Sequence, residues 1–214
     1  MTAPSTHAPS FIVTGTDTDV GKTVFAAALA GALHAHYWKP VQAGLDPRSD
    51  ADSVKALSGL PATYILPEAY RLATPCSPHR AAAIDGVTID LDRLALPAVP
   101  GALVVEGAGG VLVPITPDLL FADLFARWGK PVVLVARTGL GTINHSLLSI
   151  EALRVRGVPL HGIAFIGDPE PDSEATVARI GQVARLGRLP RLETLNAATL
   201  ADAFAAQFDL AAFR

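Results

Sequence analysis

Just after the apolar run Phe11-Ile12-Val13, the chain reads Gly15-Thr16-Asp17-Thr18-Asp19-Val20-Gly21-Lys22-Thr23 and passes at once into an Ala/Leu-rich stretch. That order predicts a buried strand, a phosphate-cradling loop over 15–21 and a helix over 22–35. Glycine lets the backbone curl until successive N–H groups point inward, and the positive end of the next helix adds to their field. Lys22 is placed to reach the outer phosphates of a nucleoside triphosphate, with the Thr23 hydroxyl on a bridging Mg2+ ion. Five residues separate Gly15 from Gly21 where the common pattern has four, so Thr16 stands at a usual glycine position and the loop is a variant. A bare Gly-Lys-Thr caps ordinary helices by chance; the flanking strand and helix favour the phosphate reading.

Half of the 214 residues are hydrophobic and 17% are charged, enough apolar material for one well-buried core. We expect a tail over 1–10 that is neither signal nor anchor, and a single domain over 11–214. A net charge of −3 with dispersed charges gives no electrostatic footprint for nucleic acid or an anionic membrane. The single cysteine, Cys76, excludes an internal disulfide and suits a reducing cytoplasm. Only Lys22, Lys39, Lys55 and Lys130 are lysines among 17 basic residues, so a lysine kept in the phosphate loop asks for a chemical reason.

Apolar runs at 11–14, 37–41, 102–106, 132–136 and 160–166 carry little polar alternation, as strands buried on both faces do. Helical spacing occupies 22–35, 50–58, 118–128, 142–156 and 172–185. Alternation of this kind predicts a three-layer α/β domain: a mostly parallel central sheet flanked by helices, with ligands beyond the carboxyl ends of the strands. The loops starting at Gly15, Gln42, Gly107, Arg137 and Gly167 fall there. The Pro-rich stretch 61–100 reads as an irregular excursion.

Val104-Val105-Glu106 ends a buried run in a carboxylate, and Gly107-Ala108-Gly109-Gly110 then frees the backbone. Glu106 is a candidate second magnesium contact, because a lone buried carboxylate without a cation is costly; a solvated strand-end Glu is the plainer reading. Asp50 and Asp52 open a short helix and suit capping, although one of them, preferably Asp50, could complete a metal shell with Thr23 and Glu106. Lys39 sits within an apolar strand, where its charge is expensive unless it faces an anion, which makes it a catalytic candidate; the alternative is an edge lysine reaching outward. Thr74-Pro75-Cys76-Ser77-Pro78-His79 reads as a turn that can present a hydroxyl and an imidazole. Gly139 to His145 opens the longest helix, with Thr142 as cap, free N–H groups able to grip a carboxylate, and a structural His145.

Gly-Thr-Asp-Thr-Asp-Val-Gly-Lys-Thr, Lys-Pro-Val-Gln-Ala-Gly, Ser-Pro-His, Val-Glu-Gly-Ala-Gly-Gly and Gly-Thr-Ile-Asn-His follow one another here in the order seen in the dethiobiotin synthetases, so the chain resembles that family over most of its length. The resemblance implies a P-loop NTPase-like fold and an ATP- and Mg2+-dependent ligase of biotin synthesis. Such an enzyme joins carbon dioxide to 7,8-diaminopelargonate and closes a cyclic urea, giving dethiobiotin, ADP and phosphate. By motif position it implies that Thr16, Asp17, Thr18, Asp19, Val20, Gly21, Lys22 and Thr23 line the phosphates, with Glu106, Gly107 and Gly109 nearby. Gly167, Leu189 and Pro190 would border the base, and Thr23, Asp50 and Glu106 would hold the metal. Lys39, Lys22 and Thr18 would be catalytic, while Ala43, Ser77, Gly107 and Gly110 would border the diamine. Gly141, Thr142, Ile143 and Asn144 would receive the substrate carboxylate across a homodimer interface. Two departures stand out: Ala43 replaces a frequent Ser or Thr, and Ile166-Gly167-Asp168 lacks a frequent Asn, so the base would be read by backbone groups. Rival readings are a nucleotide-switch ATPase of the partitioning or metal-insertion class, whose usual extra lysine early in the loop is missing at Thr16-Asp17, and a non-catalytic nucleotide-binding regulator.

Overall fold

The computed structural model describes residues 8–45 and 48–214; most of the expected tail, residues 1–7, lies outside the described residues. Along the chain run β1 (Ser10–Gly15), α1 (Lys22–Leu33), β2 (His36–Trp38), β3 (Val41–Ala43), α2 (Asp50–Leu57), β4 (Tyr70–Leu72), α3 (Pro78–Asp85), β5 (Leu103–Gly110), β6 (Pro114–Thr116) and β7 (Leu119–Leu120). They are followed by α4 (Phe121–Trp128), β8 (Val132–Arg137), α5 (Thr142–Val155), β9 (Leu160–Ile166), α6 (Pro171–Ile180), β10 (Arg185–Leu189) and α7 (Ala197–Gln207). Six strands form one sheet in the order β10-β9-β8-β1-β5-β2, and every neighbouring pair is parallel.

Side-chain alternation along the strands separates two cores. Phe11, Val13, Val104, Val133 and Val135 face a layer built by α1, α2 and α7. Ile12, Leu103, Val105, Leu134 and Phe165 face α4, α5 and α6. Helix α1 lies close to the sheet because four of its seven buried residues, Ala26, Ala27, Ala28 and Ala30, are alanines. Phe25 fills the remaining space against Phe204 and Phe208, with ring centroids 5.8 and 5.5 Å away. Truncating Phe25 to Ala removes about 3–5 kcal/mol of burial and packing.

Several sequence expectations need correction. The run 37–41 is two short strands, because Pro40 cannot donate to a ladder, and β3 leaves the central sheet to pair with β4. The expected helix 172–185 stops at Ile180, and residues 185–189 form the edge strand β10. The excursion 61–100 contains α3, and the apolar carboxyl-terminal segment contains α7. Helix 118–128 begins only at Phe121, after the short antiparallel β6–β7 pair. Order also begins before residue 11, since Ser10 belongs to β1 and Pro9 accepts a bond from Leu103 N.

Candidate active site

The carboxyl ends of β1, β2 and β5 meet the start of α1 at a cleft of about 650 Å³, lined by Thr18, Asp19, Lys22, Thr23, Lys39, Asp50 and the loop 75–78. Gly21 precedes α1 with φ +92°, a backbone that favours glycine, and no side chain caps the helix. Its first turn also holds no acidic residue, so the orphan N–H groups and the helix dipole remain available to an anion. Gly15 is required for a different reason: a Cβ there would lie 2.7 Å from Val20, so the loop could not fold back on itself.

Glu106 organises the floor. It follows Val104 by two residues, hence projects to the α1 side of the sheet, and is fully buried. Its Oε1 accepts from Thr23 Oγ1 at 2.8 Å and from Lys39 Nζ at 3.1 Å, and its Oε2 accepts from the Tyr37 hydroxyl at 2.8 Å. Lys39 follows β2 directly rather than standing within a strand, and its ammonium also donates to Asp50 Oδ2. Burial alone would lower the Lys39 pKa, but Glu106 and Asp50 outweigh it and hold it above the ordinary lysine value. Lys22 is 7% exposed and donates to the Asp17 carbonyl at 2.7 Å. Burial pulls its pKa down to about 8, against an upward pull from Glu106 and with a further downward push from Lys39.

The two aspartates of α2 divide their work. Asp52 forms a capping box with Ser49, accepting from Ser49 N at 3.2 Å and Ser49 Oγ at 2.8 Å. Asp50 turns to Lys39, and its N–H donates to Gln42 Oε1 at 3.1 Å. Asp50 and Glu106 therefore hold the Lys39 ammonium between two carboxylates, and the Thr23 hydroxyl joins them through Glu106. Hard oxygen donors in that number fit Mg2+, which takes one or two carboxylates and completes its shell with phosphate and water.

Other expected residues divide. Ala43, Ser77 and Gly109 line the same cleft, and Ser77 begins α3 without using its hydroxyl as a cap. β5 continues through Gly110 instead of ending at Glu106. Within it, Gly107 leaves room for Phe125, whose ring would lie 2.9 Å from a Cβ, and Gly110 sits 3.3 Å by the same measure from the Thr16 carbonyl. Thr16 N donates to Val135 O, and Val20 is a core side chain. Gly167 donates through its N–H to Leu189 O at 2.9 Å, which joins the loops after β9 and β10; Leu189 itself is buried, leaving Pro190 as the rim. Gly141, not Thr142, stands at the N-cap position of α5, where it offers no side chain to the free N–H groups; Thr142 is buried with an unpartnered hydroxyl, Asn144 and His145 are exposed, and none of 141–144 lines the cleft. Sequence reasoning missed Tyr37 as a site residue and placed Gln42 only as the start of a loop at the ligand end of the sheet. The available signal was their position on either side of Lys39-Pro40, each polar within an apolar context.

A parallel sheet, a glycine-turned loop opening an uncapped helix, and a lysine beside two carboxylates define a nucleotide-dependent P-loop enzyme. Residues 10–199 match the family model described as an AAA domain. An ATP-dependent dethiobiotin synthetase BioD of Novosphingobium aromaticivorans is 65% identical over 199 residues, covering 93% of this chain and 96% of its own. One from Rhodopseudomonas palustris is 62% identical, covering 94% and 96%. The MinC:MinD cell division protein complex of Aquifex aeolicus shares the fold, with TM-score 0.53 at 13% identity over 92% of this chain and 86% of that one. The chain belongs to the ATP-dependent dethiobiotin synthetase family.

Proposed function

We propose that this chain is an ATP-dependent cyclo-ligase that converts 7,8-diaminopelargonate and carbon dioxide to dethiobiotin, ADP and phosphate, and that it does so in the cleft around Lys39. One amine nitrogen bonds to carbon dioxide and loses a proton, giving a carbamate. A carbamate oxygen then takes the γ-phosphoryl group as ADP leaves, and the second amine displaces phosphate from the mixed anhydride to close the urea ring. Lys22 and the uncapped start of α1 hold the phosphates, with Thr16 to Gly21 wrapping them. Lys39 neutralises charge on the carbamate and the transferring group, and Thr18 orients the reacting oxygens. Thr23, Asp50 and Glu106 would hold Mg2+, which supplies charge neutralisation across the phosphates. Ala43, Ser77, Gly109 and Gly110 border the diamine, and Gly167 and Pro190 border the base.

The observation that carries this reading is a buried lysine between two carboxylates, beside a helix start that nothing else caps. We extend it to a homodimer in which Gly141 to Asn144 meet the partner's cleft. α5 supports that extension: its start is uncapped, and Leu140, Leu148 and Val155 are exposed along and beside it. No helix among the described residues is long and apolar enough to cross a membrane, and a cytoplasmic location suits the substrates. Phosphate release from Mg-ATP, with bicarbonate and diamine each omitted in turn, tests the assignment. ATP consumption that is equally fast without diamine would remove it.

A further inference from the structure

Glu174 on α6 is 3% exposed and has no part in the chemistry above. Two arginines of β10 close on it: Arg185 Nε donates to Oε2 at 2.7 Å, and Arg188 Nε lies 3.2 Å from Oε1. Glu170 N adds a longer bond to Oε1 at 3.4 Å. Arg188 then reaches past the carboxylate, and its Nη1 donates to the Gly167 carbonyl at 2.9 Å. The loops after β9 and β10 are thus tied twice, once by Gly167 N to Leu189 O and once through a side chain that Glu174 orients. Gly167 has φ +129°, and a Cβ there would collide with Thr138 Oγ1, so this peptide has one orientation and is held in it. Ile166, the preceding residue, packs on Gly21 of the phosphate loop.

Resting on the reading that the base lies against Gly167 and Pro190, we propose that Glu174 is a positioning residue that makes this rim select an amino base over an oxo base. Asp168 and Arg191 are both mostly exposed and pair with each other, Nε to Oδ2 at 3.5 Å, so backbone groups are left to meet the base edge. Rim carbonyls accept from the exocyclic amine of adenine and have nothing to offer the O6 acceptor of guanine. An arginine freed at this rim would reverse that preference, because its fork pairs readily with guanine O6 and N7. Glu174 and Gly167 together engage Arg188 through Nε and Nη1 and hold its guanidinium in place between the two loops.

Calorimetric binding of ADP and GDP without diamine, with KM and kcat for ATP and GTP alongside, tests the assignment. In Glu174→Gln the preference for the adenine nucleotide should fall by about tenfold or more, equivalent to about 1.4 kcal/mol. kcat at saturating ATP and KM for the diamine should stay within about twofold, well below that change. Arg185→Gln, which leaves Arg188 on Glu174, should retain the preference. If Glu174→Gln does not fold, Glu174→Asp is the substitute, since it keeps the charge and draws the carboxylate back from Arg188, and it should lower the preference in the same direction. A lowered melting temperature with an unchanged ADP-to-GDP ratio would overturn the proposal. Wild-type protein that binds tripolyphosphate as tightly as ATP would instead overturn the base site itself.

Discussion

Lys39→Met is the most informative perturbation, because it keeps the packed stem and deletes the charge. The ammonium lies 3.1 Å from Glu106 Oε1 and also bonds Asp50, with Glu106 fully buried and Asp50 one-third exposed. Removing one member of a buried ion pair leaves an uncompensated charge and costs about 3–5 kcal/mol. For a domain of this size that lowers the melting temperature by roughly 10 °C. Turnover should fall by about a hundredfold or more, the order seen when a single transition-state charge donor is lost. Phosphate binding by Lys22 and the loop is untouched, so ADP affinity should change by less than about tenfold. The variant Lys39→Arg separates the two effects, since it restores a cation between the carboxylates without the compact ammonium. Calorimetric melting should recover by about 1 kcal/mol while phosphate release stays low. Turnover that returns together with stability would refute a chemical role for Lys39 and leave it a structural counter-ion.

Lys22 makes a pH prediction. Its pKa falls from 10.5 to about 8 in the folded chain, so between those values the unfolded chain holds a proton the folded one has lost, and stability rises with pH across that window. Taken from wild type minus Lys22→Met in denaturant titrations, that rise should be about 3 kcal/mol; equal pH profiles would contradict the burial argument. Tyr37→Phe deletes the only donor to Glu106 Oε2 among the described residues and should cost about 2 kcal/mol. It should also raise the magnesium concentration needed for half-maximal phosphate release, and an unchanged requirement would make Tyr37 a packing residue alone. Finally, Lys39→Ala and Asn144→Arg proteins should each be nearly inactive and regain activity when mixed. Only a mixed dimer has one cleft with both elements intact, and no recovery on mixing would argue against a shared site.

The phosphate loop was legible because its parts are contiguous: an apolar strand, two glycines that the turn demands, and an Ala-rich helix thin enough to lie on the sheet. The order of buried runs likewise led to a parallel α/β domain. Lys39 was identifiable as misplaced charge, but its partners were not, since Asp50 is 11 residues away and Glu106 is 67. β10 was not read as a strand, and the expected helix 172–185 ran onto its first residue, because Arg185-Leu186-Gly187-Arg188-Leu189 lacks a continuous apolar run. Its arginines are tolerated at the sheet edge through Glu174, a partner on another element. α7 did carry its signal, an Asn196 cap with Leu200 and Phe204 one turn apart and buried, diluted by alanine.

Ser49 with Asp52 closes α2 and Asn196 closes α7, whereas α1 and α5 start at glycines whose N–H neighbours no side chain satisfies. At α1 the unsatisfied end coincides with a lysine that burial weakens to about 8 and that meanwhile donates to the Asp17 carbonyl. That bond, to a neutral acceptor, contributes about 1 kcal/mol net, less than a charge-assisted bond to phosphate. On the reading proposed above, an arriving triphosphate exchanges the weaker partner for the stronger, and its charge raises the Lys22 pKa that burial lowers. Lys39, already charged between two carboxylates, needs no such help. On that reading the two lysines differ because their neighbours differ: phosphate would raise the Lys22 pKa that burial lowers to about 8, whereas Glu106 and Asp50 already hold that of Lys39 above the ordinary lysine value.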